Sequence, residues 1–179
     1  MSDLKRLGVG DEAAAFNDRS DYQGCFVCGA RNMVGLKLEF RREGECVVAE
    51  FLPEEQFQGF PGMVHGGILA ALLDETLSRV GLFYQQWVMT GRLEIRYRRP
   101  ALVGQLLRVR GEVEQHRARL LLARGTITLA ADPAVVIAEG QGTFLPYPEE
   151  LRRQALGKYP GLQGFFSQVE EPVRTDGSA

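Results

Sequence analysis

The feature that most constrains this chain is an apolar run that begins at Ile68 and continues to about Leu82. Most of its residues are good helix formers, and apolar side chains fall on nearly every side of the helix that they predict. A helix that is apolar all round has to be buried. At about 1.5 Å per residue it is roughly 20 Å long, so the rest of the chain must supply a surface that covers it.

Three residues open this run: His65, Gly66 and Gly67. The first amides of a helix have no intrahelical acceptor and carry positive partial charge. Glycine, which has no side chain, lets a ligand come close to those amides. The pattern therefore predicts a site for an oxyanion at the start of the helix. The structural alternative is an ordinary loop that ends where a helix begins.

Asp74 lies inside the predicted buried helix. Helical spacing places it on a face with small neighbours, namely Gly67, Ala70, Ala71 and Ser78. A carboxylate there costs several kcal/mol unless it is paired, hydrogen-bonded or put to use. We expect burial to raise the pKa of Asp74 and so improve it as a general base. The alternative is an aspartate on a partly exposed edge of the helix.

Alternation of apolar and polar residues predicts six strands around this helix. Residues 36–41 and 47–51 precede it and form a hairpin across a turn at residues 43–45. Four more runs follow the helix within residues 92–145, and their short turns predict an antiparallel meander. One apolar sheet face is the surface available to cover the helix. We therefore expect an α+β fold, a six-stranded antiparallel sheet curled around one long central helix.

The length of 179 residues suits one domain with a substantial core. We divide the chain into an N-terminal extension (1–24), a central domain (25–147) and a C-terminal helix and tail (148–179). The net charge of −2 argues against nucleic acid or a membrane surface as a general partner. No apolar run approaches the roughly 18 residues of a transmembrane helix. The first residues lack the apolar core of a secretory signal, so we expect a cytoplasmic protein.

Two of the three cysteines, Cys25 and Cys28, are close in sequence and are compatible with half a zinc site or a redox pair. Zinc needs four ligands, and the remaining candidates are Cys46, His65 and His116. We therefore favour a turn with two small, partly buried thiols. The expectation from sequence is no metal and no cofactor.

The helix inside a curled sheet, with Asp74 nine residues after the histidine of His65-Gly66-Gly67, resembles a known family. It is similar to hotdog-fold acyl-CoA thioesterases of the phenylacetate-pathway and human thioesterase superfamily type, over residues 24–145. The resemblance implies hydrolysis of acyl-CoA to a free acid and coenzyme A. It further implies that an amide of Gly66 or Gly67 polarises the thioester carbonyl, that His65 orients the loop, and that Asp74 is the base or the nucleophile.

The same resemblance implies a hydroxyl that holds the attacking water about ten positions before the proline that ends the next strand. That proline is Pro100, and the matching hydroxyl is Thr90. The phenylacetate-type pattern has an asparagine six residues before the histidine, where this chain has Gly59. In this respect the chain looks more like the mitochondrial Akt-binding branch and its bacterial relatives, and the role of holding water shifts to Thr90.

Arginines outnumber acidic residues on the strands between residues 92 and 124. This is the pattern of an ordinary solvated sheet face, but guanidinium groups also bind phosphates well. We therefore consider Arg98 and Arg99 as contacts for coenzyme A. The resemblance also implies a homodimer, or a dimer of dimers, in which Asp74 of one chain faces the His65 loop of another.

Two other functions fit the same sequence. Hotdog domains can bind acyl-CoA without cleaving it, although a binding module gains nothing from a carboxylate in a dry helix. Hydratases and dehydratases of this fold pair a histidine with an acidic residue, which would make both His65 and Asp74 proton-transfer groups. A Ser-His-Asp triad has no supporting motif, since the chain has two histidines and neither accompanies a serine signature.

Overall fold

The computed structural model describes residues 21–117 and 119–167. Within them, the predicted α+β arrangement of one long helix on a six-stranded antiparallel sheet is confirmed. The strands are β1 (Phe40–Glu43), β2 (Cys46–Phe51), β3 (Val88–Tyr97), β4 (Leu107–Arg117), β5 (Leu120–Leu129) and β6 (Val136–Pro146). The helices are α1 (Gly66–Arg79), α2 (Glu149–Lys158) and α3 (Leu162–Ser167), with short 3-10 turns at Glu55–Phe57 and Val80–Tyr84.

Helix α1 is the predicted central helix. It begins at Gly66 and ends at Arg79, and the 3-10 turn Val80–Tyr84 completes the predicted helical stretch. Three leucines, Leu72, Leu73 and Leu77, are completely buried. Burying one such side chain stabilises the fold by about 1.5–3 kcal/mol, so α1 is held in place by its contacts with the sheet.

A row of glycines in the sheet makes room for α1. Gly111, Gly125 and Gly140 are direct cross-strand neighbours on β4, β5 and β6. A Cβ atom at Gly125 would lie 2.9 Å from a methyl of Leu77, and one at Gly140 would lie 3.1 Å from a methyl of Leu73. The helix therefore packs against bare backbone, closer than a sheet with side chains there would allow.

The prediction that the last four strands form one meander is wrong for β3. The sheet order is β1-β2-β4-β5-β6-β3, so β3 pairs with β6 at one edge and β4 pairs with β2. The chain crosses from β3 to β4 through residues 98–106, a connection too long for a tight hairpin. Hydrogen bonds hold the crossing to the loop before α1, from Val64 N to Ala101 O (2.9 Å) and from Val103 N to Gly62 O (3.0 Å).

The first hairpin begins later than the sequence pattern predicts. Strand β1 begins at Phe40, although Leu36 and Leu38 are buried as the alternation requires. Their amides donate to the carbonyls of Phe26 and Val27, both at 2.8 Å. Residues 36–38 thus pair with the cysteine turn instead of with β2, which places that turn against the core.

The terminal segments are described in part. Helices α2 and α3 occupy the first part of the predicted C-terminal helix and tail, and residues 168–179 lie outside the described ranges. Residues 1–20 of the predicted N-terminal extension also lie outside them. Among the helices that are described, none combines the length and apolarity that crossing a bilayer requires.

The glycine row yields a prediction on stability. In Gly125→Ala the new methyl group would clash with the Arg110 carbonyl oxygen and also contact Leu77. Because backbone must move to relieve that contact, we expect a loss of about 1–3 kcal/mol in the free energy of unfolding, measured by urea titration. Gly157→Ala is the matched control, since nothing lies within 4 Å of that position on α2. Equal stability of the two variants would contradict the packing argument.

Candidate active site

The start of α1 is fixed by a histidine cap. His65 has an extended backbone (φ −62°, ψ 134°), and its Nδ1 accepts the Gly67 amide at 2.9 Å. The Gly67 N–H is therefore occupied by its own chain. The Gly66 N–H has no acceptor among the described residues. Of the two predicted oxyanion donors, the structure thus leaves Gly66 free.

Two further residues hold this loop. The Tyr97 hydroxyl, on β3, donates to the Gly66 carbonyl at 2.9 Å. No sequence pattern assigns Tyr97 a role, because the alternation of its strand gives no sign that its side chain reaches the helix start. At Gly59, a Cβ atom would lie 3.0 Å from Cδ2 of His65. The glycine that replaces the family's asparagine is therefore close-packed against the capping histidine.

Asp74 and Thr90 are joined by a hydrogen bond. The Thr90 hydroxyl donates to Asp74 Oδ1 at 2.6 Å, which joins α1 to β3. The pairing of β3 with β6 shifts between Thr90 and Arg92, and a bulge of this kind redirects neighbouring side chains. In the single chain Asp74 is half-buried and Thr90 is exposed, so the carboxylate is less buried than the sequence predicts.

The environment of Asp74 makes it a better base. Partial burial raises the pKa of its carboxyl, the Thr90 hydrogen bond opposes that rise, and the charge of Glu75 adds to it. Burial has this effect because it disfavours the charged form, whereas the hydroxyl donor stabilises it. The net direction is upward, as expected from the sequence.

Asp74 and the Gly66 amide do not meet within one chain. They are eight residues apart on α1, which at about 1.5 Å per residue separates their backbones by roughly 12 Å along the helix axis. An attacking water and an oxyanion donor must both lie about 3 Å from the same thioester group. A single copy of the chain therefore presents the two halves of such a site at separate places.

The two arginines considered for coenzyme A differ. Arg98 donates twice to Glu139 Oε2, at 3.1 Å from Nε and 2.8 Å from Nη2. The exposed Arg99 side chain has no hydrogen-bond or ion-pair partner among the described residues. Arg99 is thus the better placed of the two to receive a phosphate.

Within the described part of the chain, one group of side chains offers metal-ligand atoms. Cys25, Cys28 and Glu75 bring their sulfur and carboxylate atoms within 4.8 Å of one another, and all three are half-buried. A hydrogen bond with the Cys28 thiol lowers the pKa of Cys25 to about 7. This group lies apart from the pair of Asp74 and Thr90, and no predicted active-site residue belongs to it.

Comparison with known proteins identifies a family model and relatives that are similar to this chain. The model of the thioesterase superfamily matches residues 61–135. Acyl-coenzyme A thioesterase THEM5 from Mus musculus is 33% identical over 107 residues, which are 60% of this chain and 43% of that protein. This chain thus spans less than half the length of that relative.

Solved structures agree on the fold. The thioesterase superfamily protein RHA08564 superposes with a TM-score of 0.64 at 27% identity, over 69% of this chain and 60% of that one. The protein smu.793 from Streptococcus mutans UA159, solved with acetyl CoA bound, superposes with a TM-score of 0.57 at 17% identity, over 62% of this chain and 88% of that one.

These matches agree on one class: residues 61–135 match the model of the thioesterase superfamily and lie within the hotdog fold, so the resemblance drawn from sequence is confirmed. The relative named above that matches by sequence is an acyl-CoA thioesterase.

The raised pKa of Asp74 yields a prediction on stability and pH. Because the folded state holds its proton more tightly than the unfolded chain, ionisation of Asp74 reduces stability as pH rises. Asp74→Asn keeps the shape, loses the charge and can still accept the Thr90 hydroxyl. We expect its melting temperature at pH 7 to equal or exceed that of the wild type, with the difference shrinking as the pH falls.

The matched variant Thr90→Val tests the destabilising charge of Asp74 by an opposite change in melting temperature. It removes the hydroxyl that stabilises the carboxylate, so the melting temperature at pH 7 should fall. Thermal unfolding followed by circular dichroism measures both variants. A clear loss of stability in Asp74→Asn at pH 7 would contradict the assignment of a destabilising charge.

Proposed function

We propose that this protein is an acyl-CoA thioesterase that hydrolyses the thioester by attack of a water molecule activated by Asp74. The observation that carries the proposal is the half-buried Asp74 carboxylate, bonded to Thr90 at 2.6 Å and with its pKa raised by burial, on the helix that opens with a free Gly66 amide. The likeness to acyl-coenzyme A thioesterase THEM5 supports the same activity.

The Gly66 amide is the oxyanion donor in this proposal. As the first amide of α1 it carries the positive partial charge of the helix start. It donates to the thioester carbonyl oxygen as negative charge develops there, an interaction worth about 10²–10³ in rate in other acyl-transfer enzymes. His65 and Tyr97 are positioning residues, since one caps the neighbouring Gly67 amide and the other holds the Gly66 carbonyl.

Asp74 and Thr90 place and activate the water. The Thr90 hydroxyl donates its hydrogen to Asp74 Oδ1, so its oxygen remains available to accept a hydrogen bond. A water that donates to Thr90 Oγ1 and to Asp74 Oδ2 keeps a lone pair for the thioester carbon. Transfer of its proton to the carboxylate is general base catalysis, which contributes about 10²–10⁴ in rate. The thiolate of coenzyme A then leaves.

A homodimer brings the two halves of the site together. Strand β3 is a ten-residue edge strand, with Met89 40% and Tyr97 50% exposed. A long uncovered edge invites pairing with another strand, and pairing of β3 with β3 of a second copy gives a closed two-fold dimer. That arrangement lets Asp74 of one copy act beside the Gly66 amide of the other. Further association into a dimer of dimers stays a prediction.

Coenzyme A binding is the part of the proposal that involves Arg99. Arg99, whose guanidinium has no partner among the described residues, lies two residues beyond Tyr97, the last residue of β3, and the Tyr97 hydroxyl contacts the start of α1. Phosphate groups accept paired hydrogen bonds from such a fork. Arg98 is bonded to Glu139 on the neighbouring strand β6 in this structure.

The first test is thiol release from short, medium, long and aromatic acyl-CoAs. We expect hydrolysis of at least one class, and a loss of at least about 100-fold in Asp74→Asn because the base is gone. The thermal unfolding described above shows that the variant is folded. Acyl-CoA that raises the melting temperature without thiol release would favour a binding module, and undiminished turnover in Asp74→Asn would reject this mechanism.

The second test asks whether each site takes residues from two copies. Gly66→Pro removes the amide hydrogen at the first helical position, where proline is well tolerated, and the extended His65 backbone suits the residue before a proline. Gly66→Ala is the control that keeps the amide, and its Cβ would make an ordinary 3.5 Å contact with Tyr97. We expect about a 100-fold loss in Gly66→Pro and a much smaller one in Gly66→Ala.

Mixing inactive Gly66→Pro with inactive Asp74→Asn then distinguishes the arrangements. In a hybrid dimer with shared sites, one site receives both defects and the other receives none. Equal mixing with free subunit exchange should restore roughly a quarter of the wild-type activity, since about half of the dimers are hybrids with one intact site. No recovery, with exchange verified by mass spectrometry, would show that each site belongs to one chain.

A further inference from the structure

The turn that carries Cys25 and Cys28 is built to hold both sulfur atoms on one side. The Val27 amide donates to Cys25 Sγ at 3.4 Å, and the Gly29 amide donates to the Cys25 carbonyl at 3.0 Å. A Cβ atom at Gly29 would lie 2.5 Å from that carbonyl oxygen, so the turn depends on glycine. A hydrogen bond from an amide stabilises the thiolate, which is the form of cysteine that binds a metal ion.

A third donor reaches this turn from α1. Glu75 Oε2 lies 3.8 Å from Cys25 Sγ, and the three ligand atoms of Cys25, Cys28 and Glu75 lie within 4.8 Å of one another. We propose that these three residues bind a divalent thiophilic metal ion, Zn²⁺ by the chemistry of the donors, with water as the fourth ligand.

The distances fit a tetrahedral zinc site. With Zn–S near 2.3 Å and Zn–O near 2.1 Å, tetrahedral ligands are about 3.8 Å apart for two sulfurs and about 3.6 Å apart for sulfur and oxygen. The 3.8 Å between Cys25 Sγ and Glu75 Oε2 is close to the second value, and the upper limit of 4.8 Å requires a contraction of at most about 1 Å.

The charges of the cluster also balance. Two thiolates and one carboxylate carry three negative charges, which Zn²⁺ and the Arg79 guanidinium neutralise. Arg79 donates to Glu75 Oε1 at 2.9 Å and lies over the Phe40 ring at 4.3 Å, so Oε2 is the carboxylate oxygen that faces the sulfurs. A hydrogen bond from a residue that does not itself bind the metal orients the metal ligand.

The other donors that the sequence offered lie elsewhere. Cys46 is buried beside Arg110 and Glu112, His116 stacks on Tyr84, and His65 caps α1. The third ligand is Glu75, which no sequence pattern indicates, because it is 47 residues from Cys28 and lies next to Asp74 on the helix. Consecutive helix residues point about 100° apart, so this site fastens the cysteine turn to α1 without entering the thioesterase site.

Zinc content of the full chain tests the proposal. The protein is purified under reducing conditions without metal-affinity chromatography, incubated with Zn²⁺, desalted and analysed by plasma mass spectrometry. We expect about one zinc per chain in the wild type and in Cys46→Ser, the matched control for a thiol outside the cluster. We expect at least about tenfold weaker binding in Cys25→Ser, Cys28→Ser and Glu75→Gln.

A measurement on the wild type keeps the test valid if a cysteine variant fails to fold. Zn²⁺ should slow alkylation of Cys25 and Cys28 but not of Cys46, and a chelator should reverse the protection. Co²⁺ in place of Zn²⁺ should give the near-ultraviolet charge-transfer absorption of thiolate ligands. Wild-type protein without stoichiometric zinc, or zinc retained when both cysteines are replaced, would overturn the proposal. Equal alkylation with and without Zn²⁺ would do so as well.

Discussion

The close packing of helix α1 against bare sheet backbone is the constraint on which the rest of the structure depends. Leu73 and Leu77 press onto a row of glycines that crosses β4, β5 and β6. This contact fixes both the height and the rotation of the helix over the sheet. The start of α1, the face that carries Asp74 and the side that carries Glu75 therefore have fixed positions relative to the sheet. Each of the three can take a separate role.

The strand order decides which of these positions are covered. Because β3 lies at the sheet edge beside the Asp74 face, the carboxylate is half-buried and meets Thr90 instead of a closed sheet. The same strand sends Tyr97 to the Gly66 carbonyl. One edge strand thus supports both the proposed base and the proposed oxyanion donor, and its exposed length is what a second copy would cover.

Much of the fold could be predicted because local sequence patterns determine it. Apolar residues on all sides of one helix required a covering sheet, and alternation located the strands to within a few residues. Asp74 and Thr90 were each selected by their spacing in a known family, whereas the hydrogen bond between them was not predicted. Tyr97, Glu75 and the glycine row were missed, since each acts on a partner far away in sequence that periodicity does not identify.

The sequence by itself determined the elements of this protein, the helix that must be buried and the chemical types gathered at its start. The tertiary structure decided the order of the strands, the choice of Gly66 over Gly67 as the free amide, the engagement of Arg98 but not Arg99, and the meeting of Glu75 with the cysteine turn. The physical reason is that propensity and periodicity act between near neighbours. Strand partners and hydrogen-bond partners are chosen by competition among groups that only the folded chain brings together.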